Sequence, residues 1–193
     1  LDTTRADRLG IESDAVDTPP LEALAERGRY FSQAYATTPT TLPSHTSMMS
    51  GTYPMEHGIR ENGRRVGEQL DLLAVKLQDR GYRTAAFVSG FPLARQFGLA
   101  RGFDKYDDTL PTNANERTAT ATTEAALAYL ALPNSADFLW VHYFDAHAPY
   151  EPPQPFRSQY ADDLYAGELA YVDNEAGRLL AAFEARFPAR PRK

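Results

Sequence analysis

An α/β fold, with a parallel and mostly buried sheet flanked by helices on both faces, is predicted by how helical and strand-like segments alternate along the chain. Residues 70–80 place Leu70, Leu73 and Leu77 at helical spacing, with Val75 beside them. Gly81 closes that helix, and 82–89 (YRTAAFVS) reads as a buried strand. The alternation repeats further on. An alanine-rich helix over 118–132 stops at Pro133 and is followed by an aromatic strand over 138–144, FLWVHYF. Helix-then-strand order of this kind marks βαβ units and therefore a parallel sheet.

The remaining elements follow the same logic. Thr18 and Pro19 start a helix that carries Leu21, Leu24 and Ala25 on one face and ends at Gly28. Residues 30–35 read as a strand leading into the stretch 40–62, TTLPSHTSMMSGTYPMEHGIREN. There Pro43 suits a first helical turn and Gly51 a helix end, so 43–50 is expected to be a short helix with its N-terminus towards Thr41. A helix N-terminus favours an anion, because its N–H groups are unpaired and its dipole is positive. The same residues also describe a capped surface helix. Residues 98–108, GLARGFDKYDD, lack the glycine and closing glutamate of a calcium loop and read as a solvated loop. A last helix covers 165–187, with Leu169, Val172, Leu179, Leu180 and Phe183 on its apolar face. A basic, proline-containing tail follows at 188–193.

Composition narrows the function. The chain has 193 residues and a net charge of −6, which argues against a general basic surface for nucleic acid. It has no cysteine, hence no disulfide and no thiolate metal site. No apolar run approaches the length of a membrane span. The chain starts at Leu1, so an upstream strand and a signal or anchor are expected to be missing, and a periplasmic or extracellular location stays open. No linker or repeat interrupts it, and one domain over 1–193 is expected.

Thr41-Leu42-Pro43-Ser44-His45, followed by Ser50-Gly51, resembles the nucleophile segment of the sulfatase family, within the alkaline-phosphatase-like superfamily. In that family the frame is Cys or Ser, any residue, Pro, Ser, Arg. Here Thr41 holds the nucleophile position and His45 the arginine position. Threonine cannot become formylglycine, and it is similar to the nucleotide pyrophosphatase/phosphodiesterase branch, where a threonine attacks phosphorus directly. Asn62, following His57-Gly58, matches the asparagine that contacts a substrate oxygen in that branch. Asp2, with Arg5-Ala6-Asp7 after it, occupies a metal-ligand position, and Thr3 replaces the second aspartate of many sulfatases. Asp145-Ala146-His147 resembles the segment whose histidine meets the anionic group, with Ala146 in place of proline. Ser89-Gly90-Phe91-Pro92-Leu93 stands where many sulfatases have Gly-Lys-Trp-His. Asp173 reads as a structural anchor in the last helix, and His142 as a core histidine.

The resemblance implies a three-layer α/β/α sandwich with a mostly parallel sheet. It also implies a hydrolase of small-molecule or glycan sulfate or phosphate esters, with Thr41, Asn62 and His147 as catalytic groups. Asp2 and Thr41 would be ligands of a divalent ion: calcium, zinc or manganese. Thr41, Asp2 and His147 are expected to converge at one sheet edge. Two alternatives stand beside it, a phosphodiesterase or phosphotransferase of the same superfamily and a truncated non-catalytic relative. The family's later Asp-His-Gly segment, which completes the metal site, does not occur in this sequence. Residues 1–193 therefore correspond to the N-terminal part of such a catalytic domain. By themselves they are expected to bind metal weakly and to show little activity.

Overall fold

The computed structural model describes residues 1–186. In chain order it contains α1 (Pro19–Arg27), α2 (Thr41–Ser50), α3 (Pro54–His57), α4 (Leu73–Gln78), β1 (Thr84–Val88) and β2 (Lys105–Asp107). These are followed by α5 (Ala119–Leu130), β3 (Phe138–His142), α6 (Phe156–Gln159) and α7 (Leu164–Arg186). The chain divides into two compact units. One comprises Leu1–Phe31, Thr118–Pro133 and the chain from Tyr143 onward; the other comprises Ser32–Arg117 and Asn134–His142. The basic tail and Phe187 lie outside the described residues.

The second unit carries the sheet. Its strand order is β2-β1-β3 and both pairings are parallel, with Ala86 opposite Tyr106 on one side and Trp140 on the other. Every residue of β1 is buried, as a strand covered on both faces requires. Successive side chains alternate faces, so Ala86 and Val88 share one. There they join Leu42 and Met49 of α2, Leu72 and Tyr106 in a single apolar core, with Trp140 packed against it.

The first unit is built on α7, which packs against α1, α5 and α6. Its core joins Val16, Ala146, Ala166, Leu169 and Ala170. Helix α1 comes very close to α7 at Gly177, where a Cβ would lie 2.6 Å from Pro20 Cγ. Only glycine fits that contact.

Several expected elements differ in the structure. Residues 30–35 form no strand, and Tyr30, Phe31 and Tyr35 are all exposed. Their apolar character was the whole signal, and no sheet edge pairs with them among the described residues. Leu1 lies outside any strand, and the Asp2 N–H donates to Tyr143 O at 2.9 Å. The expected helix 70–80 shrinks to α4, in which Ala74 is buried and Leu73 exposed, while Leu72, just before the helix, is buried. The cause is Arg101. Its guanidinium donates to the carbonyls of Gly67, Glu68 and Leu70 at 2.9, 2.6 and 2.9 Å, which holds those residues in a turn. The solvated loop expected over 98–108 instead contains β2. Leu99 and Tyr106 are buried within it, and the Tyr106 hydroxyl donates to Leu93 O at 2.6 Å.

Asp173 is the structural anchor that the sequence suggested. Pro19 and Pro20 have no N–H, so Leu21 carries the first free amide of α1, and Asp173 Oδ1 accepts from it at 3.0 Å. The carboxyl is almost fully buried, and burial pushes its pKa up to about 6. A carboxyl whose folded pKa is raised contributes its full stability below about pH 4 and loses it as pH rises through about 6. Asp173→Asn keeps the acceptor and removes the charge. Its melting temperature should therefore match the parent near pH 4 and exceed it at pH 7.5, by the equivalent of about 1–2 kcal/mol after solvent screening. Thermal melts across that range check this, and a gap that does not change with pH would contradict it.

Candidate active site

Helix α2 starts where its residues require it to. Thr40, the N-cap, is extended at φ −98° and ψ 140°, and Pro43 sits in the first turn, where a missing N–H costs little. Gly51, at φ 72°, ends the helix in the left-handed conformation, and its N–H returns to Ser47 O at 2.8 Å. The helix begins two residues before the expected Pro43, so Thr41 lies in the first turn itself and is nearly buried. Asn62 Oδ1 accepts from the Leu42 N–H at 2.8 Å. That bond fixes the orientation of the carboxamide, with oxygen towards the helix and the NH2 group left as a donor. The structure thus brings Thr41 and Asn62 together. It also changes the expected anion site at this helix start. Pro43 has no N–H and Leu42's is already used, and the Asn62 NH2 is a side-chain donor held at this helix start.

His45, at the family's arginine position, is a buried helical side chain. Its Nδ1 donates to Thr41 O at 2.8 Å, and its ring lies edge-on to His142 at 4.8 Å and 5.7 Å from Trp140. It braces the backbone that carries Thr41. His142 is buried in the core as expected, and Ser89 Oγ donates to its carbonyl at 2.8 Å. His57 plays a part that sequence reasoning missed. The Ile59 N–H donates to its Nδ1 at 3.1 Å, so Nε2 carries the proton and donates to Ser47 Oγ at 3.0 Å. This engages Ser47 away from the helix start. The available signal was the His-Gly pair, whose Gly58 takes φ 77° and turns the chain back on the imidazole.

Asp2 and His147 belong to the other unit. Asp2 Oδ1 accepts from the Thr3 N–H at 2.9 Å, and Thr3 takes φ 47°, a costly conformation for a β-branched residue. Tyr165 of α7 holds the turn in place. Its hydroxyl accepts from Arg5 N at 3.0 Å and donates to Thr3 O at 2.8 Å. Arg5 pairs with Asp7 on the surface, as loop-fixing residues would. His147 is exposed and stacked on Phe144 at 4.5 Å, with Nδ1 donating to Ala148 O at 2.9 Å. Its Nε2 is thereby the acceptor nitrogen. Asp145 Oδ1 accepts from Ala119 N at 2.7 Å and caps α5, a structural role that its place beside His147 did not suggest. Among the described residues no three His, Asp or Glu side chains are grouped so as to hold a metal ion. Asp2 and Thr41 therefore do not amount to a complete coordination set.

The family model described as Sulfatase matches residues 1–187. The chain belongs to the sulfatase family. Delta 4,5-hexuronate-2-O-sulfatase of Bacteroides thetaiotaomicron is 28% identical over 140 residues, 66% of this chain and 28% of that protein. Ulvan-active sulfatase of Formosa agariphila is 33% identical over 85 residues, 44% of this chain and 17% of that protein. In fold, the chain is similar to phosphonate monoester hydrolase of Agrobacterium radiobacter. The TM-score is 0.80 at 17% identity, covering 96% of this chain and 58% of that one. The chain thus spans well under a third of these two sulfatases and little more than half of the solved structure.

In this sulfatase-family chain, burial lowers the pKa of His57, and protonating Nδ1 would break its bond from Ile59. A histidine whose folded pKa is lowered contributes stability that is fully present above its ordinary value and is lost as pH falls from there through the lowered folded value. His57→Ala should cost about 1 kcal/mol at pH 7.5, the usual size for such hydrogen bonds, and the difference should close towards pH 5. Urea melts at both pH values measure this. A penalty that grows on acidification would rule out the neutral, doubly bonded imidazole.

Proposed function

We propose that the full-length gene product hydrolyses sulfate or phosphate esters with Thr41 as the attacking nucleophile and glycan sulfates as its substrate class. The observation that carries the reading is the first turn of α2. There a nearly buried threonine hydroxyl shares the helix start with an Asn62 carboxamide whose NH2 is available to an anionic oxygen. Thr41 Oγ1 would form a bond to sulfur or phosphorus as the ester oxygen departs and takes up a proton. Water would then cleave the covalent intermediate and restore the hydroxyl. Asn62 would stabilise charge developing on the non-bridging oxygens. His147, with Nε2 as its acceptor nitrogen, would contact the anionic group or leaving oxygen when that nitrogen is protonated. The glycan class is supported by the hexuronate and ulvan sulfatases among the relatives.

The divalent ion that the family resemblance assigns to Asp2 and Thr41, whether calcium, zinc or manganese, needs further ligands. Catalytic metal centres generally have three or more from the protein. A second reading, phosphodiester hydrolysis, is favoured by the threonine itself, which attacks phosphorus without prior oxidation. By that reasoning, phosphodiesters should be cleaved at least as well as aryl sulfates.

The nucleophile is tested with Thr41→Ala, Thr41→Ser and Ser44→Ala on the full-length product, using an aryl sulfate, a phosphate monoester and a phosphodiester. Thr41→Ala should lower kcat about a thousandfold or more, Thr41→Ser should keep part of the rate, and Ser44→Ala should stay near the parent. If Ser44→Ala loses activity while Thr41→Ala keeps it, the assignment is wrong.

A further inference from the structure

Beside Asn62 the second unit has an open concavity of about 460 Å3, lined by Gly58, Ile59, Arg60, Glu61, Arg64 and Arg65. Three arginines and one glutamate are among its lining residues, in a chain whose net charge is −6. Arg64 is committed locally, its Nε donating to Glu61 at 2.8 Å. Arg65 lies 3.7 Å from Glu68, and both side chains are so exposed that the pair is weak. Arg60 forms no hydrogen bond or ion pair among the described residues. A run of exposed arginines is by default a solvated face. Two features separate this one from that default. The charges line a concavity, and the loop that carries them is tied by Asn62 Oδ1 to the Leu42 N–H, one residue from Thr41. Gly58 and Gly63, at φ 77° and 80°, bracket residues 59–62, with Arg60 between them, in a conformation that other residues rarely adopt, so the backbone sets the shape of the part that carries Arg60.

We infer that the Arg60–Arg64–Arg65 concavity is a subsite for a second anionic group on the substrate, a carboxylate or sulfate carried on the portion that does not react. The inference rests on the nucleophile reading above, because the subsite is defined by its closeness to Thr41. Guanidinium is the natural partner for such groups, since its donors match the paired oxygens of a carboxylate or sulfate. Arg60, which has no partner among the described residues, supplies the main contact. Arg64 and Arg65 contribute longer-range attraction, partly offset by Glu61 and Glu68.

The test compares three substrates on the full-length product. They are 4-nitrophenyl sulfate with one anion, a monosulfated uronic-acid disaccharide with an added carboxylate, and a disulfated neutral disaccharide with an added sulfate. For Arg60→Gln, kcat/KM should fall about tenfold further on the substrates with two anions than on 4-nitrophenyl sulfate, chiefly through KM. Arg60→Lys should recover part of the difference, and about 0.5 M salt should shrink it in the parent. The disaccharide that shows the larger effect identifies whether carboxylate or sulfate is read. Equal losses on all three substrates would overturn the subsite. If the parent turns over none of them, the hydrolase reading fails. Calorimetric titration of Thr41→Ala with both disaccharides, with and without Arg60→Gln, then decides the subsite alone. Binding that is unchanged by Arg60→Gln, or absent from both proteins, overturns it.

Discussion

The hydrogen bond between the Leu42 N–H and Asn62 Oδ1 is the constraint on which the candidate chemistry depends. A helix start leaves several amides without partners, and each must find one or remain open to solvent or ligand. Here proline removes one and asparagine takes another. A single carboxamide thus satisfies the helix, orients its own NH2 group and ties the arginine-bearing loop to the turn that holds Thr41. The rest of the second unit supports this start. Leu42 and Met49 sink into the core with β1, and His45 holds the Thr41 carbonyl from the next turn.

The first unit solves a comparable problem with longer reach. Two prolines leave α1 without its first amides, and Asp173, from far along the chain, takes the next one at the cost of a desolvated carboxyl. Tyr165, also on α7, bridges both sides of the turn after Asp2 and so stabilises Thr3 in a conformation it would otherwise avoid. Helix α7 therefore acts as a rigid post. Its polar side chains complete loops and helix ends that local sequence leaves unfinished.

Several polar side chains in both units are explained by such completion. His57 satisfies Ile59 and Ser47, and Asp145 caps α5. A histidine or aspartate beside a motif invites a catalytic role, yet here the hydrogen bonds show that several are structural. Arg60 differs from them because the described protein gives it no partner.

Several features could be read from the sequence itself because their causes are local. Pro43 and Gly51 bracket α2, alternating apolar segments mark β1 and β3, and Thr41 with its neighbours carries the sulfatase wording. Tertiary structure decided the rest. Arg101 shortens α4 by taking carbonyls about thirty residues away, and residues 30–35 form no strand because, among the described residues, no edge receives them. Leu73, expected inside, faces solvent once that turn shifts the helix start. The division has one physical reason. Propensity and periodicity act over a turn or a strand, whereas a hydrogen-bond partner twenty to a hundred and sixty residues away exists only after the chain has packed.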